Sequence, residues 1–481
     1  MVNMEFPKRR LTMHHITRRN MLALSGMSVA GLAQARQPSK AFGRAKACIF
    51  LFPYGSPPQH EMFDPKPDAP AEIQGEMKSI ATCLPGVRIG EGIPALAPIM
   101  DKLTVVRSVN HPYPEHGVAY AVSGIPTYTP ALEDKPRDAR HWPFIGSVVD
   151  YIGEMRSGGA IPAIPRNIGL PWLLNSKTDL NVSAGPYAAF LGQAHDPIWT
   201  DYDGQGTKIA PRYTDGQTKD FLDPFQETTF DGRFRLSTLG QKVDGLSSER
   251  LQARRDLLKS MDLMPAKIFG KHRDMAFSML MSGKLLQALD LGKEPQSLRE
   301  RYGKTLFGQS CLAARRLVEA GGKFVSVFWD GFGQFANCAW DTHNNHYPRL
   351  KQYLLPAFNQ TYPTLIQDLE SRGLLDSMLV MWLSEHGRTP KIDSKPKGAG
   401  RHHWSKAYSV VLAGGGIAKG RVVGSTDKHA GEVRDIPLSP KDLLATAFYL
   451  LGIDPETRVY DTLQRPMPIA GDGVVRHELI A

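Results

Sequence analysis

Histidine and carboxylate recur together along this 481-residue chain, each time beside a short apolar run. His60, Glu61 and Asp64 follow the first run. His111, Glu115 and His116 follow the second, Asp341, His343 and His346 the third, and Glu385 and His386 the fourth. Arg401, His402 and His403 stand just before a fifth. Imidazole and carboxylate in one convergent set are the donors that zinc, manganese or a similar divalent ion takes. Asp341 and His343 are two apart, so in an extended stretch both face one way. Glu385 and His386 are adjacent, and at a strand end each can face one of two ions. Two ions about 4 Å apart clamp the attacking and leaving oxygens of phosphoryl-type transfer.

Each cluster also has a plainer reading. A single loop histidine commonly serves only as a surface or hydrogen-bonding group, and His111, His116 and His346 are open to that. Arg388 has no lone pair to offer an ion. It is left either to pair with Glu385 across the turn or to bind an anion. A Glu385–Arg388 ion pair that merely stiffens the SEHGRTPK loop is the alternative to a metal role there.

The elements that must position these residues are legible as apolar runs bounded by turn residues. Ala47–Phe52, Leu103–Val109, Lys323–Trp329, the SMLVMWL run and AYSVVLAGGGI read as buried strands. GQSCLAARRLVEAGG, the stretch YPRLKQYLLPAFNQTYPTLIQDLESRGLL and SPKDLLATAFYLLGI read as helices, the last with Ser439 as N-cap. Strands alternating with helices predict an α/β fold, a doubly wound, mostly parallel sheet with helices on both faces. In such sheets ligands bind beyond the carboxyl ends of the strands, which is where the histidines and carboxylates fall. The stretch at about 158–295, loop-rich and then charged, reads as a large insertion or cap on the sheet.

Residues 1–35 read as a leader. Arg18 and Arg19 precede an apolar run that ends in the small-x-small AQA, which predicts export through the twin-arginine machinery to the periplasm or beyond. No other run is long enough to predict a stable membrane span. Residues 44–481 are then one domain. Of the formal net charge of +10, a net +4 leaves with the leader, and the rest is dispersed. No basic block with interleaved aromatics appears, so nucleic acid is not an expected partner. Cys48, Cys83, Cys311 and Cys338 form no C-x-x-C pair, which excludes a zinc ribbon. Cys48 reads as a small core residue.

Several long blocks carry a resemblance. GSPPQHEMFDPKPDAPAEIQGE, YGKTLFGQSCLAARRLVEAGGKFVSV, WDTHNNHY, EHGRTPKI, GRHHW and LAGGGIAKGRVVGSTD resemble the exported proteins of domain of unknown function 1501, which is placed in the alkaline phosphatase and sulfatase superfamily. The resemblance implies an alkaline-phosphatase/sulfatase-like fold with a divalent ion (zinc, calcium or manganese) at the carboxyl edge. Asp341 and His343 resemble the first late ligand pair of that superfamily, Glu385 and His386 the adjacent pair, and His403 the last ligand, with His60 a further ligand after the first strand. In that scheme His116 and Arg388 are catalytic, and Arg401 and His111 bind substrate. Two departures stand out. His386 and His402 occupy places where the family usually has Phe and Asp. No Ser, Thr or Cys stands at the nucleophile position, which holds Glu115 and His116, so metal-activated water would replace the missing nucleophile. The expected function is an exported metal-dependent hydrolase of a phosphate or sulfate ester, an anionic small molecule or polysaccharide. The alternative is a non-catalytic carbohydrate- or cell-surface-binding protein on the same fold.

Overall fold

The seven residues Ala47–Pro53 are buried on both sides, and their side chains alternate between two cores. Ala47, Ile49 and Leu51 enter one, and Cys48, Phe50 and Phe52 the other. That is what a strand at the centre of a sheet covered on both faces requires. The computed structural model describes residues 40–113, 116–125, 132–133, 135–179, 184–210, 219–236, 283–334, 339–394 and 398–481. The leader, Glu115, Cys338 and residues 237–282 of the charged later part of the 158–295 stretch lie outside them.

Among the described residues the central sheet has nine strands. In chain order they are β1 (Ala47–Pro53), β2 (Leu103–Val109), β3 (Asn167–Leu170), β4 (Ile198–Asp203), β5 (Arg233–Leu236), β6 (Phe324–Trp329), β7 (Met378–Trp382), β8 (Tyr408–Ala413) and β9 (Arg421–Val423). Their spatial order is β9-β2-β8-β7-β1-β6-β3-β4-β5. Only β5 at the edge and β8 inside run against the rest. The helices used below are α1 (Val118–Ser123), α2 (Ile145–Arg156), α3 (Leu306–Glu319), α4 (Leu355–Ser371) and α5 (Pro440–Leu450). α3 and α4 pack on one face, α2 and α5 on the other. This is the doubly wound, mostly parallel α/β fold expected.

Helix ends follow local chemistry. Thr305 caps α3 by accepting the Gly308 N–H, and the helix gives way to Gly321 at φ +117. Ser439 and Asp442 form a reciprocal capping box at α5, with Pro440 in the first turn. Among the described residues no helix is long and apolar enough to cross a membrane.

Two findings differ from the sequence expectation. Strand β8 is antiparallel to both neighbours. Its amino end therefore lies at the carboxyl edge of the parallel strands, and this brings the residues before it, Arg401 to Trp404, to the same edge as the loops leaving β1, β2, β6 and β7. The segment 158–295 is not simply a cap, because its described part lays β3, β4 and β5 into the sheet beside β6.

Candidate metal centre

Five of the predicted residues meet at the carboxyl edge: His116, Asp341, His343, His386 and His403. Asp341 and His343 arrive on the loop after β6. His386 follows β7. His403 precedes β8 on a two-residue ribbon that pairs it with Arg388. His116 sits two residues before α1. The ligand atoms of Asp341, His343 and His403 lie within 4.8 Å of one another, and so do those of His116, His386 and His403, so the two triads share His403.

The first triad is tight. His343 Nε2 lies 3.0 Å from Asp341 Oδ1, His403 Nε2 lies 3.2 Å from the same oxygen, and the two imidazole nitrogens are 2.9 Å apart. Asp341 Oδ1, His343 Nε2 and His403 Nε2 are the atoms that would hold an ion here. The second triad supplies the sharper test of fit. His386 Nδ1–H donates to Gly387 O at 2.9 Å. Its other nitrogen, Nε2, then carries a lone pair, is buried and has no hydrogen-bond partner among the described residues. A buried acceptor left bare costs free energy that a cation recovers. The donors, the imidazoles of His343, His386 and His403 and the Asp341 carboxylate, suit zinc and similar transition ions. They do not suit calcium, which takes six to eight oxygens.

Electrostatics prepare most of these groups. Burial, followed by the charges of neighbouring His403, His116 and Arg388, drives His386 well below its ordinary range. Burial likewise lowers His403 to about 4 against the pull of Asp341. Burial alone would raise Asp341, but Arg388 and His116 outweigh it and hold the carboxyl well below its usual value. His116 goes the other way. Burial opposes its charge, yet Asp341 and Glu385 push it up to about 9.

Glu385 does not take the ligand role expected of it. Its Oε1 accepts the Gly55 N–H and the His116 Nδ1–H, both at 2.8 Å, and its Oε2 accepts the Ser384 hydroxyl at 2.6 Å. Both oxygens are committed to holding other groups, and the residue is fully buried. His116, expected to be catalytic, is the imidazole that points into the centre, stacked on Tyr54. Gly55 is needed for this. Its φ is +90, and a Cβ there would stand 2.3 Å from the Asp341 nitrogen.

The two arginines are not free for an anion. Arg388 is buried, and it donates to Gly55 O, Ser56 O, Trp340 O, Arg401 O and the Asp341 carboxylate. Its acidic partner is Asp341, not Glu385, so the simple Glu385–Arg388 pair is not what holds the loop. Arg401, equally buried, donates twice to Glu61 Oε1, at 3.0 and 2.7 Å, and also to Thr389 O, Pro390 O and Ile73 O. Expected to bind substrate, it braces the base of the ribbon instead. His111 is also occupied on both sides. Its Nε2–H donates to Glu385 O at 2.7 Å and its Nδ1 accepts the Tyr113 N–H at 3.2 Å, so it is a backbone pin with no nitrogen left for substrate.

His60 stands apart from both triads. It donates Nε2–H to His429 O at 2.8 Å, beside Glu61 and Arg401, and burial lowers it to about 4. It belongs to the group in which His346 Nε2 approaches Glu61 Oε2 at 3.3 Å.

No curated protein matches the chain. Among solved structures it is similar to the lipoteichoic acid synthase LtaP from Listeria monocytogenes (10% identity, TM-score 0.35, covering 93% of this chain and 81% of that one). It is also similar to the PsFucS1 sulfatase from Pseudoalteromonas sp. (10%, 0.35, 91% and 72%) and to the phosphonate monoester hydrolase SpPMH from Silicibacter pomeroyi (10%, 0.31, 89% and 74%). At this distance the chemistry of the centre stands on its own residues. The model of one family spans residues 45–480, nearly everything after the expected leader, and the chain therefore belongs to the family described as protein of unknown function, DUF1501.

Proposed function

We propose that the protein is an exported, metal-dependent hydrolase of a phosphate or sulfate ester, with zinc as its ion. The observation that carries this reading is the convergence of Asp341, His343 and His403, with the buried Nε2 of His386, unpartnered among the described residues, beside His403. Asp341, His343 and His403 would hold the ion, with His386 offering a further donor beside His403, and the bound ion supplies a Lewis acid to an ester oxygen. The ligand imidazoles His386 and His403 are kept neutral by burial, and Asp341 is kept ionised, which is the protonation state an ion requires. His116, raised to about 9 and oriented by Glu385, carries a proton at neutral pH and would give it to the leaving oxygen. With Arg388 and Arg401 committed elsewhere, this imidazolium is also the positive charge at the centre best placed to meet an anionic ester.

Export by the twin-arginine route rests on Arg18 and Arg19 ahead of their apolar run. The mature chain, 44–481, would then act in the periplasm or outside the cell on a small anionic ester or an esterified polysaccharide.

Elemental analysis of protein purified from its native compartment tests the reading, followed by hydrolysis of aryl phosphate and aryl sulfate esters before and after chelation. Near-stoichiometric zinc and chelator-sensitive turnover are expected. Protein that carries no ion and cleaves neither ester class would leave only a carbohydrate- or surface-binding role.

A further inference from the structure

His343 has a second face, turned away from the triangle. Its Nδ1 lies 2.8 Å from Nδ1 of His402, and His402 Nε2 lies 3.0 Å from Asp393 Oδ2. The three side chains form a line from the centre outward, with His402 and Asp393 about two-fifths exposed at the end of it. The backbone holds this line rigidly. Asp393 and Gly400 exchange backbone hydrogen bonds at 2.9 and 3.0 Å, and His402 is tied to Thr389 by its N–H to Oγ1 at 3.0 Å and by its carbonyl, which accepts the Thr389 N–H at 2.9 Å. Gly400 lies directly on the loop carrying His343, since a Cβ there would stand 1.8 Å from His343 O. A larger residue would lift the Asp393–His402 strand off His343.

Proton bookkeeping along the line allows one arrangement when an ion is bound. An ionised carboxylate only accepts, so His402 presents Nε2–H to Asp393. Neutral His402 then has its lone pair on Nδ1, which must accept the His343 Nδ1–H. His343 is left with its lone pair on Nε2, the atom that faces Asp341 and His403. We infer that Asp393 and His402 are positioning residues for the metal centre, fixing the tautomer and ring orientation of His343 so that its Nε2 is the donor atom. Partners of this kind on a ligand imidazole are worth about 10–100-fold in metal affinity. The inference rests on the proposed metal reading and adds to it two residues outside the ligand set.

The geometry supplies its own rescue. An aspartate at position 402 has a carboxylate oxygen attached through Cγ, as Nδ1 is in histidine, so it can accept the His343 proton with no help from Asp393. The experiment titrates zinc alone, against a chromogenic chelator, into the wild-type protein, His402→Ala, Asp393→Ala, His402→Asp, and His402→Asp combined with Asp393→Ala. Circular dichroism and melting temperature of each metal-free variant check the fold. His402→Ala and Asp393→Ala are expected to weaken zinc binding by about 10–100-fold. His402→Asp is expected to stay near wild type and to become indifferent to Asp393→Ala. A merely structural contact would not produce that rescue. Wild-type protein that binds zinc as tightly as folded His402→Ala overturns the inference and leaves the metal reading standing, as does His402→Asp that binds as weakly as His402→Ala. Wild-type protein that takes up no zinc overturns the metal reading, and the inference falls with it.

Discussion

His116 donates its Nδ1–H to Glu385 Oε1 across 2.8 Å, and the same oxygen holds the Gly55 N–H. One buried carboxylate thus ties the segment leading into α1 to the exits of β1 and β7. Because Glu385 orients an imidazole and does not ligate, Glu385→Gln should keep the ion stoichiometry of the wild-type protein. It should lower ester turnover by about 100-fold, the scale of a lost general acid, and move the alkaline limb of the pH–rate profile to lower pH. Metal analysis and a pH–rate series on one preparation check this. Loss of the ion in the variant would return Glu385 to the ligand set.

The pH dependence of metal-free stability has two limbs of opposite sign. His403 and His60 are lowered to about 4, so between pH 6.5 and 4 the unfolded chain binds more protons than the native one, and stability falls as pH falls. His116 is raised to about 9. From 6.5 to 9 the native state holds the extra proton, so that contribution is lost as pH rises. The melting temperature of chelated protein is therefore expected to peak near pH 6.5. Glu385→Gln should flatten the upper limb and spare the lower one. A curve that climbs steadily from pH 6.5 to 9 would contradict the assignment of His116.

The bare Nε2 of His386 makes a stability–function trade measurable. His386→Phe removes a buried unsatisfied acceptor worth about 1–3 kcal/mol, at the loss of one bond to Gly387 O. Metal-free His386→Phe should melt no lower than wild type, while the rise in melting temperature at saturating zinc should shrink. Scanning fluorimetry with and without zinc gives both numbers. A large fall in the metal-free value would mean that the ring is held by packing the bare nitrogen does not disturb.

Glu61 and Arg401 are both buried, and the pair braces the ribbon that carries His403. Removing one partner strands the other charge, so Glu61→Ala is expected to cost about 3–5 kcal/mol. The double change Glu61→Leu with Arg401→Met should recover much of that loss in urea unfolding. Equal destabilisation by the single and double changes would show that the arginine's bonds to Thr389, Pro390 and Ile73 carbonyls matter more than its charge partner.

Replacing Arg18 and Arg19 together with lysine should leave full-length precursor in the cytoplasm, read by fractionation and immunoblotting. Normal processing of the double variant would remove the twin-arginine assignment.

The strands were legible because burial on both faces writes itself as continuous apolar sequence. Leu103–Val109 matches its run residue for residue, and β1 and β7 shift by about one residue at their ends, ordinary for such boundaries. The direction of β8 was not legible, since Tyr408–Ala413 reads the same either way and only the strand order decides it. The gathering of His and Asp at one sheet edge was readable from spacing, but the division of labour was not. Adjacency of Glu385 and His386 says nothing about which one faces the centre. That is settled by the neighbouring Ser384 and by Gly55 and His116, which come to Glu385 from two distant places in the chain. Arg388 and Arg401 looked like anion binders because guanidinium suits anions. Their actual partners are mostly backbone carbonyls, which leave no mark in a sequence. Asp393 had no signal at all beside its neighbours until the ribbon placed it against His402.

The shared position of His403 in both triads has a mechanical side. His343 lies on the connection after β6, and His386 and His403 lie on the connection from β7 to β8, 43 and 17 residues apart in sequence. Cys48 and Cys311 are buried and unpaired, and Cys83 is unpaired at the surface. An ion gripped by His343 and His403 would be a clasp across two chain loops, restricting the denatured ensemble as a crosslink does. Its loss would then loosen the carboxyl edge before the sheet beneath it, so that the chain's resistance to proteolysis would be set by the same few atoms that gather at that edge.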